Sequence, residues 1–427
     1  MSKIIFSDQN IELEYTQQSA LDSELILELF RGKTYSYIIK QFINQAILLF
    51  GIKIFTIKKT YIRTITNLIS SWMFTLYASP NFNSTLDPFL PNNYYETDSL
   101  KYILYDLVKY DITIKNYNQL IEVLLNFLKD LFKEQLSQMS IYKSSYYYIK
   151  NINKYKLIKK EIIQKRDEND VSFYKFEIKV NFEIKDKKLN NILNNLLIPL
   201  NEYSKLKNNY NGDIDKMDEY IFIILFRYQL LGSNNHQLGV KNIIMNNLNI
   251  DYKLNFECFA SSINSTFKNY CSIYYDVEKY FGSLGNYYNL NLISGTFGIN
   301  PPYQKDIIEK SINKCLLELL TAQQNDKELT FIITIPIWDN EGKQQMKNDF
   351  NNELPQQNID YGDFDIINTI KKSEYCKVLR MIPKEKFTYL DHNFVLLKNK
   401  TIQNTYVIIL SSKNNINPQY LLDYDFS

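Results

Sequence analysis

Along the first third of the chain, apolar residues recur at helical spacing. In "NYNQLIEVLLNFLKDLF", Leu120, Val123, Leu124, Phe127, Leu128 and Leu131 repeat on one face. "SALDSELILELF" offers a serine cap followed by an apolar face. "YIIKQFINQAILLFGIKIF" is apolar as well, but Lys40, Gln41, Asn44, Gln45 and Lys53 interrupt it, so it reads as a buried or amphipathic helix rather than a membrane span. Pro, Asn and Ser gather between Ser79 and Ser99, which predicts a loop. The period then changes to two. Tyr174, Phe176, Ile178, Val180, Phe182 and Ile184 alternate with Lys175, Glu177, Lys179, Asn181, Glu183 and Lys185, the pattern of a half-buried strand. The polar "KRDENDVS" before it reads as the turn of a hairpin whose other strand lies near Tyr146 to Ile163.

Helix returns in "DEYIFIILFRYQLLG", and from about Asp251 the elements alternate. "YKLNFECFAS" reads as a strand, "INSTFKNYCS" as a helix, "SIYYDVEKY" as a strand and "LISGTFGINPPY" as a strand. The helix "QKDIIEKSINKCLLELL" follows, with Ile308, Ile312, Cys315, Leu316 and Leu319 on one face, and "ELTFIITIPIW" and "NTYVIILSS" are further apolar strands. Alternation of this kind predicts an α/β domain around a mostly parallel sheet. The expected organisation is a mainly helical domain over residues 1–210, carrying a Tyr/Lys-rich β-hairpin at about 141–186, and an α/β domain over 211–427.

Composition narrows the class. The 427 residues are 45% hydrophobic with a formal net charge of +2, enough for two or three domains. The abundance of Asn, Lys, Ile and Tyr is what an AT-rich coding sequence produces, so single matches of those residues carry little weight. "MSKIIFSDQN" lacks the features of a signal peptide. Four cysteines (Cys258, Cys271, Cys315, Cys376) form no CxxC, and with only His236 and His392 beside them no zinc site of standard spacing can be assembled. The expectation is a soluble intracellular protein, nuclear or cytoplasmic, with reduced thiols, no metal and no membrane association.

The chemistry concentrates at "GTFGINPPY", where two adjacent prolines stand at a strand end. An exocyclic amine on adenine is a poor nucleophile because its lone pair is delocalised into the ring. A site that methylates it must accept hydrogen bonds from the N–H groups and hold the base flat. Asn300 supplies a side-chain acceptor and Pro301 a backbone carbonyl; Pro301 and Pro302 fix the backbone, so both acceptors are set in advance. Tyr303 offers a face for stacking. The same residues would also serve as a stiff turn capping the next helix. Upstream, "NFECFASSINS" ends a strand in small residues, and in "YYDVEKYFGSLGNYY" Asp276 at a strand end could bond a ribose while Gly282 and Gly285 permit close approach of a ligand.

"ECFASSINSTFKNYCSIYYDVEKYFGSLG", "LISGTFGINPPY", "TFIITIPIW", "QNTYVIIL" and, upstream, "RYQLLGSNNHQLG" together resemble the phosphorylated-CTD-interacting-factor family, cap-specific adenosine N6-methyltransferases. The resemblance covers roughly residues 215 to 412. It implies a Rossmann-like class I methyltransferase domain, S-adenosylmethionine as cofactor, and methyl transfer to N6 of the adenosine that follows the cap of mRNA. Adenine-methylating enzymes place an acidic residue and a Phe-Ala-Gly sequence after the first strand; Glu257, Phe259, Ala260 and Ser261 follow that outline. The family's Phe-Gly-Ser is matched by Phe281, Gly282 and Ser283, its Ile-Pro-x-Trp by Ile335, Pro336 and Trp338, and the aromatic after its Asn-Pro-Pro by Tyr303. Three features depart from it: Gly298 and Ile299 replace an acidic-then-small pair, Trp72 and Trp338 lie too far apart for a WW domain, and the first 210 residues match only as helical. Alternatives within the same chemistry are a member that has lost catalysis and binds RNA or polymerase, and an adenine methyltransferase acting on DNA or internal RNA.

For the substrate path, "YKSSYYYIKNINKYKLIKKEIIQKR" interleaves lysines, among them Lys156, Lys159 and Lys160, with tyrosines, which suits phosphates and bases of single-stranded RNA. A solvated Lys-rich hairpin has the same pattern. Trp338, just beyond a strand end, is a second candidate for stacking. The partners expected are capped RNA and, through the N-terminal helices, RNA polymerase or the capping machinery.

Overall fold

The computed structural model describes residues 2–6, 11–15, 24–49, 66, 69–70, 72–74, 76–78, 87–90, 117–150, 155–166, 169–180, 183–184, 187–188, 196–231, 237–303, 305–336, 366–392, 398–400, 404–413 and 415–426. Trp338, His236, the serine cap before the first helix and most of the Ser79–Ser99 segment lie outside these residues.

The chain opens with an antiparallel pair, β1 (Ser2–Phe6) and β2 (Ile11–Tyr15), followed by the long helices α1 (Leu25–Leu49) and α2 (Tyr117–Lys150). The apolar repeat of α2 buries Leu124, Leu128 and Leu131, whereas Val123 is exposed. The hairpin is formed by β3 (Tyr155–Arg166) and β4 (Asn169–Val180). It starts later than its tyrosines suggested: α2 runs on to Lys150, so Tyr146 to Tyr148 are helical. β5 (Leu196–Pro199) adds a third strand beside β4, and the short helix α3 (Leu200–Asn209) leads into α4 (Met217–Leu231). From α1 onward these elements share one apolar core, which continues past residue 210, whereas Ile11 and Leu13 of β2 belong to the core of the large sheet that follows. Ile221 to Phe226 of α4 and, further on, Tyr274, Val277 and Phe281 belong to the first of these cores.

The rest of the chain runs β6 (Leu238–Val240), α5 (Asn242–Tyr252), β7 (Phe256–Glu257), β8 (Asn269–Tyr270), α6 (Tyr275–Glu278), β9 (Leu290–Ile299), α7 (Lys305–Gln324), β10 (Leu329–Pro336), α8 (Ile366–Lys372), β11 (Cys376–Ile382), β12 (Tyr389–Asp391), β13 (Lys398–Lys400) and β14 (Thr405–Ser411). Two expectations are exchanged here. "INSTFKNYCS" is a turn ending in β8, and "SIYYDVEKY" contains helix α6.

β8, β7, β9 and β10 lie side by side and parallel; β14 then pairs antiparallel with β10, and β11 antiparallel with β14. Ser283 adds a parallel bridge outside β8. Counted in chain order, the strands lie 3-2-1-4-5-7-6, with Ser283 as the third. The order reverses between β7 and β9. In a doubly wound sheet the crevice beyond the carboxyl ends of the strands at such a reversal receives the ligand. β2 joins this sheet too, antiparallel to the first half of β9, so the amino terminus is built into it.

Both faces of the sheet are covered, which accounts for the continuous apolar strands. Phe331, Ile333 and Ile335 point to a core with Ile308, Ile312, Cys315 and Leu319 of α7, four of the face expected from their spacing. Ile332, Val407 and Ile409 point the other way, toward Leu248 and Met245 of α5. The alternation follows the two-residue period of a strand.

Candidate active site

β7 and β9 end together at the reversal, and each hands on to a loop. Beyond β9 the chain continues Asn300, Pro301, Pro302, Tyr303; beyond β7 it continues Cys258, Phe259, Ala260, Ser261. Both loops line one concavity of about 590 Å³, counting space open to solvent. Asn300, Pro301, Pro302, Tyr303, Phe259 and Ala260 therefore meet, as their order in the sequence implied. A smaller concavity of about 450 Å³ adjoins it, sharing Leu238, Phe259, Asn264 and Asn300 and adding Glu257 and Gly298.

Asn300 is held from two sides. Its Nδ2 donates to the carbonyl oxygen of Leu238 (3.2 Å), and its Oδ1 accepts from the Tyr303 hydroxyl (3.2 Å). The amide is thus oriented by the backbone of β6, and the oxygen keeps a second lone pair for a ligand. Tyr303 packs edge-on against Tyr389, with ring centroids 6.0 Å apart. Burial raises its hydroxyl well above the usual tyrosine range, so it stays a donor.

Glu257 lines the adjoining concavity, and one of its oxygens is engaged within its own turn. Its Oε2 accepts from the backbone N–H groups of Thr266 (2.7 Å) and Phe267 (3.1 Å), tying the turn after β7 back to the strand. Desolvation pushes its carboxyl up to about 7, against the lowering effect of those two N–H groups. The Ser261 N–H donates to Asn264 Oδ1 (2.7 Å), and the Ser261 hydroxyl donates to Gln237 Oε1 (2.8 Å). The neighbouring Ser262 donates to Glu278 from both its N–H and its hydroxyl. Glu278, which the sequence did not single out, thereby anchors the loop from behind, and Tyr228 donates to its other oxygen at 3.1 Å.

Three expected cofactor residues are placed elsewhere. Asp276 stands on α6 rather than at a strand end, and both its carboxylate oxygens accept from Arg227 (2.8 and 2.7 Å) in a buried pair. A ribose would have to displace that guanidinium. Phe281 is buried against Tyr210, ring centroids 5.0 Å apart. Gly282 has φ +103°, and a Cβ there would sit 2.0 Å from the Lys268 carbonyl oxygen, so its glycine serves a tight turn. Neither Phe281 nor Gly282 lines the main concavity.

What sequence reasoning missed comes from distant segments. Phe74 and Ala78, from the helical part, close the concavity on one side. Asn286 also lines it, and its Nδ2 donates to the Tyr77 carbonyl (3.3 Å), linking that helical segment to the sheet. Behind them lies a buried network. Arg227 bonds Glu28 and Asp276, while Arg31 bonds Glu28 and Asp87. Asp87 in turn accepts from the N–H groups of Phe89 and Leu90. The "RYQLLGSNNHQLG" stretch was the available signal: its Arg227, Tyr228, Gln237 and Leu238 all make these contacts.

The hairpin lysines differ from one another. Lys159 donates to the Tyr203 hydroxyl (2.7 Å) and pairs with Asp218 (2.8 Å), lying 4.6 Å from the Tyr203 ring centroid. Lys160 stands 3.6 Å from Glu177 and is mostly exposed; Lys156 is exposed. Among the described residues, no cluster of His, Cys, Asp and Glu could hold a metal ion, and no helix is long and apolar enough to cross a membrane.

A family model described as the phosphorylated CTD interacting factor 1 WW domain matches residues 199–359, the region that holds β6 to β10 and both loops. That segment contains one tryptophan, Trp338. Two proteins named mRNA (2'-O-methyladenosine-N(6)-)-methyltransferase, from Mus musculus and Homo sapiens, are each 36% identical to this chain over 87 residues. The match covers 20% of this chain and 12% of theirs.

Proposed function

We propose, from the premise that residues 199–359 relate this chain to the phosphorylated CTD interacting factor family, that it is an S-adenosylmethionine-dependent RNA methyltransferase. The group modified is N6 of adenosine, and the substrate is the cap-adjacent adenosine of capped mRNA. The observation that carries this reading is the meeting of Asn300-Pro301-Pro302-Tyr303 with Phe259 and Ala260 in one concavity at the strand-order reversal.

The site fits such a pair of ligands. Its walls combine apolar faces (Phe259, Pro301, Tyr287) with a few carboxamides, the make-up of a small-molecule site. When bound, the cofactor supplies a methyl group made electrophilic by the sulfonium it is attached to. Phe259, Ala260 and the loop fixed by Ser261 and Ser262 would hold it. Asn300 Oδ1, already oriented by Leu238, and the Pro301 carbonyl accept the N–H groups of the amine and draw its lone pair out of the ring. Held by these two acceptors, the amine's nitrogen would face that methyl group, and the proton it gives up on transfer would pass to solvent. No strong base is required, since that proton becomes acidic once the methyl has arrived.

We place the RNA path along the exposed lysines Lys156 and Lys160 of the hairpin, with Trp338 as a candidate stacking residue. Lys159, engaged by Tyr203 and Asp218, supports the hairpin instead. The helical part is proposed as a domain that also offers a docking face for polymerase or capping enzymes. Cap dependence tests the substrate assignment. Two oligonucleotides of one sequence beginning with adenosine, one capped and one not, are compared for methyl incorporation from labelled cofactor. The capped one should react at least tenfold faster; equal rates would point to internal RNA or DNA as the substrate.

A further inference from the structure

Gln237 immediately precedes β6, is 1% exposed, and lines the main concavity together with Asn300, Phe259 and Ala260. It is fixed at both ends of the residue. Its backbone carbonyl accepts from the His392 N–H (3.1 Å), and its side-chain Oε1 accepts from the Ser261 hydroxyl (2.8 Å). Ser261 is itself pinned by Asn264. Among the described residues its amide nitrogen meets no acceptor, and the residue lines the concavity. A donor whose direction is set by these contacts offers a ligand acceptor the benefit of its preorganisation.

The lining of the concavity says which acceptor. Among the described residues that line it, none carries a charge: the polar groups are carboxamides, hydroxyls and thiols. Burial drives the thiols of Cys258 and Cys271 well above their usual range, so they stay neutral as well. A methyl donor of the S-adenosylmethionine type ends in an amino acid, whose carboxylate must then be held by neutral donors. Gln237 Nε2 is such a donor, set beside the loop that follows β7.

We infer that Gln237 is a cofactor-binding residue whose side-chain amide donates to the carboxylate of the methyl donor's amino-acid end, with Ser261 as the positioning residue that aims it. This rests on the methyltransferase reading above. Calorimetry on the full chain with two probes tests it. S-adenosylhomocysteine carries the carboxylate; 5′-methylthioadenosine has the same nucleoside and sulfur but no amino-acid end. Gln237→Met keeps the volume and removes the donor. It should weaken S-adenosylhomocysteine about tenfold or more, as loss of a hydrogen bond to a charged group does, and leave 5′-methylthioadenosine within about twofold. Ser261→Ala should give a smaller loss in the same selective pattern, and it serves in place of Gln237→Met if that variant does not fold. A purely structural role would lower the melting temperature without separating the two probes. Unchanged affinity for S-adenosylhomocysteine, or equal losses for both probes, overturns the assignment of Gln237 to the carboxylate. Wild-type chain that binds neither probe overturns the cofactor reading itself, and that result is distinct from a failure confined to the variants.

Discussion

The Asn300 side-chain oxygen has its direction set by Leu238 and Tyr303 before any ligand arrives. On the proposed mechanism, replacing Asn300 with Ala removes the acceptor that draws the amine's lone pair out of the ring. Loss of one such preorganised contact typically costs about a hundredfold in turnover, and an unchanged melting temperature would show that the fold is intact. Tyr303 contributes differently. Its hydroxyl donates to Asn300, yet Leu238 orients the same amide from its other end. Tyr303→Phe should therefore cost only a few-fold in rate, while Tyr303→Ala, which also empties the contact with Tyr389, should be severe. Comparable losses for the two would shift the role of Tyr303 from ring to hydroxyl.

His392 makes a separate test of the interior. It is 5% exposed, and among the described residues neither ring nitrogen has a hydrogen-bond partner. Burial, with a smaller effect from the Lys205 charge, lowers its pKa to about 3 from an ordinary 6.5. A depressed pKa means the folded chain resists the proton that the unfolded chain takes up. The contribution to stability is present in full above pH 6.5 and is lost as pH falls toward 3. His392→Gln, which cannot titrate, should flatten the acid limb of a stability–pH curve across that window. Parallel curves for variant and wild type would mean that His392 is not held neutral.

Among the elements, the long apolar ones were legible. β9, β10, β14, α4 and α7 appear where period and length predict them, because each buries enough side chain to dictate its own conformation. The stretch from Ile263 to Phe281 was not. β8 has two residues and α6 has four, too few for a period to show. Contacts made elsewhere in the chain decide their conformation: Glu257 fixes the turn, and Arg227 and Glu278 fix α6. The site divides the same way. The NPPY loop could be read because two prolines at a strand end are locally distinctive. Gln237, Asn286 and Phe74 could not, since nothing local marks a residue that matters only through its distant neighbours. The hairpin makes its own prediction. Neutralising Lys156 and Lys160 should weaken RNA binding and flatten the log–log salt dependence by roughly 1.4, at about 0.7 for each phosphate contact on single strands. Superimposable salt titrations would remove RNA from the hairpin. Lys159→Gln should instead lower stability, with the salt slope unchanged.

Across the whole molecule, the concavity is a joint product of helical part and sheet. The five buried charges Glu28, Arg31, Asp87, Arg227 and Asp276 tie α1 and the Asp87–Leu90 segment to α4 and α6. Breaking a buried pair by removing one partner leaves a charge without compensation, at a cost of about 3–5 kcal/mol. Asp276→Asn should thus lower the melting temperature markedly, whereas a role confined to cofactor binding would leave it unchanged in the absence of ligand.

The central claim is that the loops after β7 and β9 together methylate N6 of adenosine. Its most direct measurement is nucleoside analysis by mass spectrometry of a capped, adenosine-initiated RNA incubated with S-adenosylmethionine and either wild-type chain or Asn300→Ala. Wild type should yield adenosine methylated at N6, confined to the first transcribed position, and Asn300→Ala should reduce it about a hundredfold. Wild-type chain that binds the cofactor yet leaves no methyl at N6, or an Asn300→Ala variant as active as wild type, would contradict the assignment.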